Sequence, residues 1–269
     1  MKNIISRMGG KHYMAKRLLQ RFPKHTYFCE VFGGGGHVLI SKSNNPKDWL
    51  PNGYSDKHYK EIYNDLDSQL IAFWKYIKFH PQAFMLELEK YLHSRELHEY
   101  MHHKQPLTEL EKAVWFFILN KQTFSGTGRF YNVHHGANLQ KYKEHIEKIS
   151  ERLKTVCIEC RDFAQLIVQL DKQKDVFFYL DPPYFGYEHY YITPDTPKFD
   201  RHSELAELLK TINGKFLLSY NDCPEIRALY SDSRFHIEEI SQQYNADNKR
   251  GKSCKIVTEL LISNYDYKI

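Results

Sequence analysis

Four consecutive glycines, Gly33 to Gly36, stand between the apolar run "YFCEVF" (Tyr27 to Phe32) and a helical pattern that opens with "HVLISK". A buried strand that passes through glycines straight into a helix leaves few architectures open. Glycine lets the backbone approach a bound group closely, and the start of the following helix favours negative charge. The same turn suits a dinucleotide, a methyl donor or a purely structural corner. The residues around it must decide.

Strand and helix patterns alternate on both sides of a helical middle. "EIYND" reads as a second strand ending at Asp65, after the polar loop "SNNPKDWLPNGYSDKHYK", and "SQLIAFWKYIKF" as an amphipathic helix. From Pro81 to about Lys121 the pattern is helical throughout. The stretch from Gln122 to Asn138, "QTFSGTGRFYNVHHGAN", carries three glycines and reads as a hairpin or ordered loop. After a helix near Tyr142 to Leu153 come "TVCIE", "FAQLIVQL", "VFFYL", "SELAELLKTI", "GKFLLSY", "PEIRALY", "RFHIEEIS" and "VTELLISN", strand and helix in turn until two closing strands. Such alternation predicts an α/β fold with a mostly parallel, Rossmann-like sheet and helices on both faces. It assigns residues 1–79 and 155–269 to one α/β domain, the candidate catalytic domain if the motifs below bear chemistry, and 80–154 to an inserted, mainly helical subdomain.

A chain of 269 residues with 42% hydrophobic content is long enough for a substantial core. The net charge of +5 permits a nucleic-acid partner without demanding one. Five scattered cysteines argue against a disulfide framework and for a reducing, cytoplasmic setting. Cys157 and Cys160 form a C-x-x-C inside a strand pattern with no second pair, and no metal site is expected. The histidines His98, His102 and His103 read as a surface group. No signal-peptide stretch opens the chain, and no run reaches membrane-spanning length.

A strand ending in an acid often places the carboxylate on ribose hydroxyls, and Asp65 ends one here. It follows Gly33 by 32 residues, against about 20 in dinucleotide-binding units; the polar loop absorbs the excess. Asp67 reads as an ordinary first-turn charge. The glycine run lacks the G-x-G-x-x-G spacing, since Val38 stands where the third glycine would. S-adenosylmethionine has no pyrophosphate and needs only close backbone approach and a ribose acid, so the turn leans towards that donor.

The fully apolar "VFFYL" then runs into Asp181-Pro182-Pro183-Tyr184. Prolines stop strands, and a turn is the plain explanation. The alternative is chemical. An exocyclic adenine amine has its lone pair delocalised into the ring. A carboxylate (Asp181) and a rigidly held carbonyl (Pro182) that accept its two hydrogens would free that pair, while the ring of Tyr184 stacks on a base taken out of the duplex.

With these motifs in order, the chain resembles the Dam-type DNA adenine-N6 methyltransferases over essentially its whole length. "RMGGK", "FGGGG", "NDLD", "CRDF" and "DPPY" match the family's cofactor, glycine, ribose, adenine-contact and catalytic motifs, and "LLSYND" and "ELLISN" its later strands. The resemblance implies S-adenosylmethionine as donor. It implies cofactor contacts at Arg7, Lys11, Phe32, Gly33, Gly35, Asp65, Asp162, Phe163 and Asp181, and catalysis by Asp181, Pro182 and Tyr184. Arg7 stands where the family often has an aromatic residue. The helical middle would read double-stranded DNA, and the segment after Gly128 is shorter than in enzymes with well-known sites.

Lys121, Thr123, Ser125, Arg129 and Tyr131 are the candidate DNA contacts there. Lys249, Arg250 and Lys252 form a basic loop suited to phosphates. "FGYEHYYITPDTPKF" would be a lid over the flipped base. A monomer is expected, with a cognate restriction endonuclease as a further candidate partner. Cytosine-N4, RNA-adenine and protein-glutamine methylation are alternatives; Asp181 disfavours the first and last, which tend to carry Ser and Asn there. The glycine spacing disfavours a nicotinamide oxidoreductase, and the intact Asp181 and Tyr184 disfavour a DNA-binding protein without catalysis.

Overall fold

A computed structural model describes residues 3–7, 9–123, 126–135, 138–193, 196–244 and 255–267. Ser125, Lys249, Arg250 and Lys252 lie outside the described residues. Seven strands form one sheet: β1 (Tyr27–Glu30), β2 (Lys60–Asn64), β3 (Val156–Glu159), β4 (Val176–Leu180), β5 (Lys215–Asn221), β6 (His236–Tyr244) and β7 (Lys255–Ser263). Their spatial order is β3-β2-β1-β4-β5-β7-β6. The first five are parallel, and β7 runs antiparallel to both β5 and β6. The chain steps outward from β1 to β2 and β3, then crosses to β4 on the other side. The order therefore reverses between β1 and β4, where open α/β sheets bind ligands. This is the Rossmann-like sheet the alternation predicts.

β4 shows why its sequence is apolar without a break. Phe177 and Tyr179 pack into the core on one face; Val176, Phe178 and Leu180 pack into the core on the other. A strand covered on both sides needs no polar alternation. One face carries α1 (Ala15–Leu19), α3 (Ser68–Phe79), α4 (Pro81–Leu88), α6 (Glu109–Lys121) and α7 (Lys143–Leu153); the other carries α8 (Phe163–Leu170), α9 (His202–Thr211) and α10 (Pro224–Leu229). α2 (His37–Ser41) follows the glycine turn.

The continuously helical stretch from Pro81 to Lys121 is three helices, with α5 (Arg95–His103) between α4 and α6. Ser94 and Thr108 cap the second and third, their hydroxyls accepting from the Leu97 and Glu111 N–H groups, which satisfies donors a helix start leaves open. α6 lies on α3, Phe73 stacking on Phe117 at 5.6 Å between ring centres. The surface reading of the histidines holds for His102 and His103 but not His98. His98 is buried with Met101 on the inner face of α5, its ring edge-on to Tyr131. The i, i+3 spacing of those two residues puts them on one side of the helix. Among the described residues, no helix is long and apolar enough to cross a membrane.

Candidate active site

The carboxyl ends of β1 and β4 meet at the reversal, where the Val31 N–H donates to the Tyr179 carbonyl at 3.0 Å. β1 runs on into the glycines and β4 into Asp181. The glycines answer to different constraints. A Cβ on Gly33 would lie 2.2 Å from the ring of Tyr63, so Gly33 is demanded by packing beneath the turn. Tyr63 donates to the Gly34 carbonyl at 2.6 Å and accepts from the Trp74 indole at 2.9 Å. Gly34 has φ +49° and Gly36 φ +66°, backbone that side chains rarely adopt. At Gly34 nothing stands within 4 Å of an added Cβ, so this glycine leaves open space.

A cavity of about 300 Å³ opens over the turn. Asp65 forms part of its wall, its Oδ2 accepting from the Gly34 N–H at 2.8 Å and its Oδ1 from the Asp67 N–H at 2.9 Å. Withdrawal from water raises the Asp65 pKa, against the lowering effect of nearby Arg7. Asp67 is more than a first-turn charge. It caps α3, accepting from the Gln69 and Leu70 N–H groups, and pairs with the Arg7 guanidinium. Burial works against the Arg7 charge, but Asp67 and Asp65 outweigh it and raise the pKa.

One wall of the cavity is aromatic. Phe32 and Phe163 lie 5.5 Å apart, and Phe199 stands edge-on to Phe32 at 5.7 Å. Asp162 caps α8 beside them and is paired with Arg201. Partial burial would raise the Asp162 pKa; the Arg201 pairing and the two helix N–H groups reverse that and hold it low. Arg201 also lies over the Phe163 ring at 4.4 Å.

Lys11 also lines the cavity and is only 3% exposed. Its Nζ lies 2.7 Å from Asp181 Oδ1 and 3.8 Å from Glu259 Oε2, and donates to the Tyr184 hydroxyl at 2.9 Å. Tyr184 in turn donates to Glu259 Oε2 at 2.9 Å. Burial opposes the Lys11 charge, and the two carboxylates outweigh it, raising the pKa. The Asp181 carboxyl is 20% exposed. Its withdrawal from water outweighs Lys11 and pushes its pKa up to about 6. Glu30, buried at the end of β1, is pushed up to about 8 by burial despite accepting from the Leu39 N–H at 3.0 Å.

The sequence profile of the D12 class N6 adenine-specific DNA methyltransferases matches residues 8–246. The chain belongs to that family. Its relatives include the DNA N-6-adenine-methyltransferase of Escherichia phage P1, 26% identical across 94% of this chain, of whose own length the chain spans 33%. The type II methyltransferase M1.LlaDCHI of Lactococcus lactis subsp. cremoris is 24% identical across 96% of this chain and 93% of its own. The retron Ec67 DNA adenine methylase of Escherichia coli is 22% identical across 94% of this chain and 89% of its own.

In this D12 class chain, the sequence-predicted residues Arg7, Lys11, Phe32, Gly33, Gly35, Asp65, Asp162, Phe163 and Asp181 all line the one cavity. Pro182 is buried beside them. The candidate DNA residues are more dispersed. Arg129 is exposed and donates to the His189 carbonyl at 3.1 Å, joining its loop to the segment after the Asp-Pro-Pro-Tyr. Thr123 is buried; its hydroxyl donates to the Leu119 carbonyl and accepts from the Gly128 N–H at 2.9 Å. Tyr131 pairs with Thr123 in an antiparallel bridge and touches His93 at 3.0 Å. Lys121 lies over the Tyr142 ring at 5.2 Å.

Sequence reasoning missed Glu259, Glu30, Phe199 and Arg201. For both glutamates a signal existed: each is a lone carboxylate inside an otherwise apolar strand, in "VTELLIS" and "YFCEVF". Such a charge stays buried only with a partner or a shifted pKa. Phe199 and Arg201 lie in a loop whose return to the cavity no local pattern announces.

Proposed function

We propose that the protein transfers the methyl group of S-adenosylmethionine to the N6 amine of an adenine turned out of duplex DNA. The observation that carries this reading is the junction at Asp181. A carboxylate on the lip of a nucleoside-sized cavity shares one buried ammonium with the hydroxyl of the adjacent Tyr184. The residues present fit the donor. Asp65 suits ribose hydroxyls, the Phe32–Phe163 wall and Asp162 suit an adenine, and Lys11 with Asp181 and Glu30 suits the charged amino-acid end. When bound, the donor supplies an electrophilic methyl group on a sulfonium.

The remaining work falls to the chain's own atoms. The Asp181 carboxylate and the Pro182 carbonyl accept the two amine hydrogens and turn the lone pair out of the ring. Lys11 holds Asp181 in place, and Tyr184, tied to Lys11 and Glu259, offers a fixed face for the base. Once nitrogen has gained the methyl group it must lose a proton, and a carboxylate with a pKa near 6 can accept it. Catalysis then rests on positioning and electrostatics. The Lactococcus relative's designation as a type II methyltransferase supports a search for a companion endonuclease.

The test incubates methyl-labelled S-adenosylmethionine with unmodified duplex DNA, then digests the DNA to nucleosides. Wild type should place label in N6-methyladenine, and Asp181→Ala should lower the rate by at least about 100-fold. Label in N4-methylcytosine, label in RNA only, or label indifferent to the substitution overturns the reading.

A further inference from the structure

Asn120 occupies the last turn of α6 and is 4% exposed. Its amide binds two separate stretches of backbone at once, one near in sequence and one 114 residues away. Nδ2 donates to the Ser6 carbonyl at 2.7 Å and to the Gly126 carbonyl at 3.1 Å, while Oδ1 accepts from the Ser6 N–H at 3.2 Å. Only a primary amide of this length offers two donors and an acceptor in that arrangement. Asp would lose both donors, and an apolar residue would leave the Ser6 groups without partners.

The segments it joins belong to different tasks. Ser6 precedes Arg7, which lines the donor cavity and pairs with Asp67. The Asp67 N–H holds Asp65, and Asp65 holds the Gly34 N–H of the glycine turn. Gly126 opens the loop that carries Arg129. It has φ +69°, and a Cβ there would lie 2.1 Å from the Ser6 carbonyl oxygen, so this loop rests directly on the N-terminal segment. Arg7 also reaches towards α6, over the Phe116 ring at 5.7 Å. It lines a second cavity of about 260 Å³ between α6, the 126–129 loop and residues 190–193. The contacts form a continuous series from the glycine turn to the loop proposed to read DNA.

We infer that Asn120 is a positioning residue that couples occupancy of the methyl-donor cavity to docking of the DNA-reading loop. The inference rests on the proposed function for the identity of the two ligands. A filled cavity fixes Asp65, Asp67 and Arg7; that fixes Ser6, and Asn120 passes the constraint to Gly126. The structure shows the loop docked on Ser6; the coupling requires that the donor favour this arrangement over a released one. Linkage requires the converse, DNA raising donor affinity by the same factor.

The experiment measures duplex DNA binding by fluorescence anisotropy with and without S-adenosylhomocysteine, and S-adenosylhomocysteine binding alone by calorimetry. Wild type should bind DNA about tenfold more tightly with the nucleoside present. Asn120→Ala should lose that enhancement while retaining affinity for S-adenosylhomocysteine alone within about threefold. Gly126→Ala, which forces the loop off the Ser6 carbonyl, should give the same result and serves if Asn120→Ala fails a circular-dichroism check of folding. An enhancement preserved in the variants overturns the inference, as does wild-type protein that binds both ligands independently. Wild-type protein that binds neither ligand would instead remove the functional reading on which the inference rests.

Discussion

Burial and charge pull the Asp181 carboxyl in opposite directions, and burial prevails, leaving a pKa of about 6 beside a buried lysine. The consequence for activity has a definite sign. With Asp181 as the proposed acceptor of the amine hydrogens, its protonation should make the single-turnover methylation rate fall as pH drops through about 6, approaching tenfold per pH unit well below it. A rate that stays flat from pH 7.5 to 5 would remove Asp181 from that role. At this scale the sequence was legible where residues cluster in unusual words, as in "DPPY", and opaque where one partner arrives from far away. Lys11 and Glu259 are 248 positions apart, yet both reach the Tyr184 hydroxyl. Nothing local to Glu259 except its own misplaced charge hints at that meeting.

Helix starts carry much of the site. Asp162 caps α8 and Asp67 caps α3, so two acids lining the cavity also set the geometry of the helices behind them. Replacing Asp67 by Ala removes a cap worth about 1 kcal/mol and leaves the largely buried Arg7 guanidinium without its main partner. Thermal denaturation should show a melting temperature lowered by at least about 2–4 °C, together with weakened S-adenosylhomocysteine binding. An unchanged melting temperature would mean that Arg7 and the α3 N-terminus find other partners at no cost. The extents of α3 and α8 were readable because their apolar periodicity is strong and an acid stands before each. The division of the 81–121 stretch into α4, α5 and α6 was harder. Its breaks depend on Ser94 and Thr108 acting as caps within a continuously helical pattern.

For the molecule as a whole, a net charge of +5 is modest, and its placement matters more than its size. If Lys249, Arg250 and Lys252 neutralise DNA phosphates, changing all three to Ala should reduce the slope of log affinity against log salt by about 2.7. A slope unaltered by the triple change would remove these three residues from the DNA interface. The sheet itself was largely legible, since alternating strand and helix patterns admit few other arrangements. The order in which β7 enters was not, because both closing strands look alike until their pairing is known. That late entry has a consequence for the life of the protein in time. β7 wedges between β5 and β6 and brings Glu259 to a lysine made at the other extreme of the chain. At ordinary synthesis rates, roughly 10–50 s separate the two residues on the ribosome, and the long-range pairing adds its own delay. For the last part of that interval, between the making of Tyr184 and that of Glu259, the chain carries its Asp-Pro-Pro-Tyr but lacks the strand that anchors the tyrosine. Under the proposed function, methyl transfer should therefore begin only once β7 is seated and Glu259 holds the Tyr184 hydroxyl.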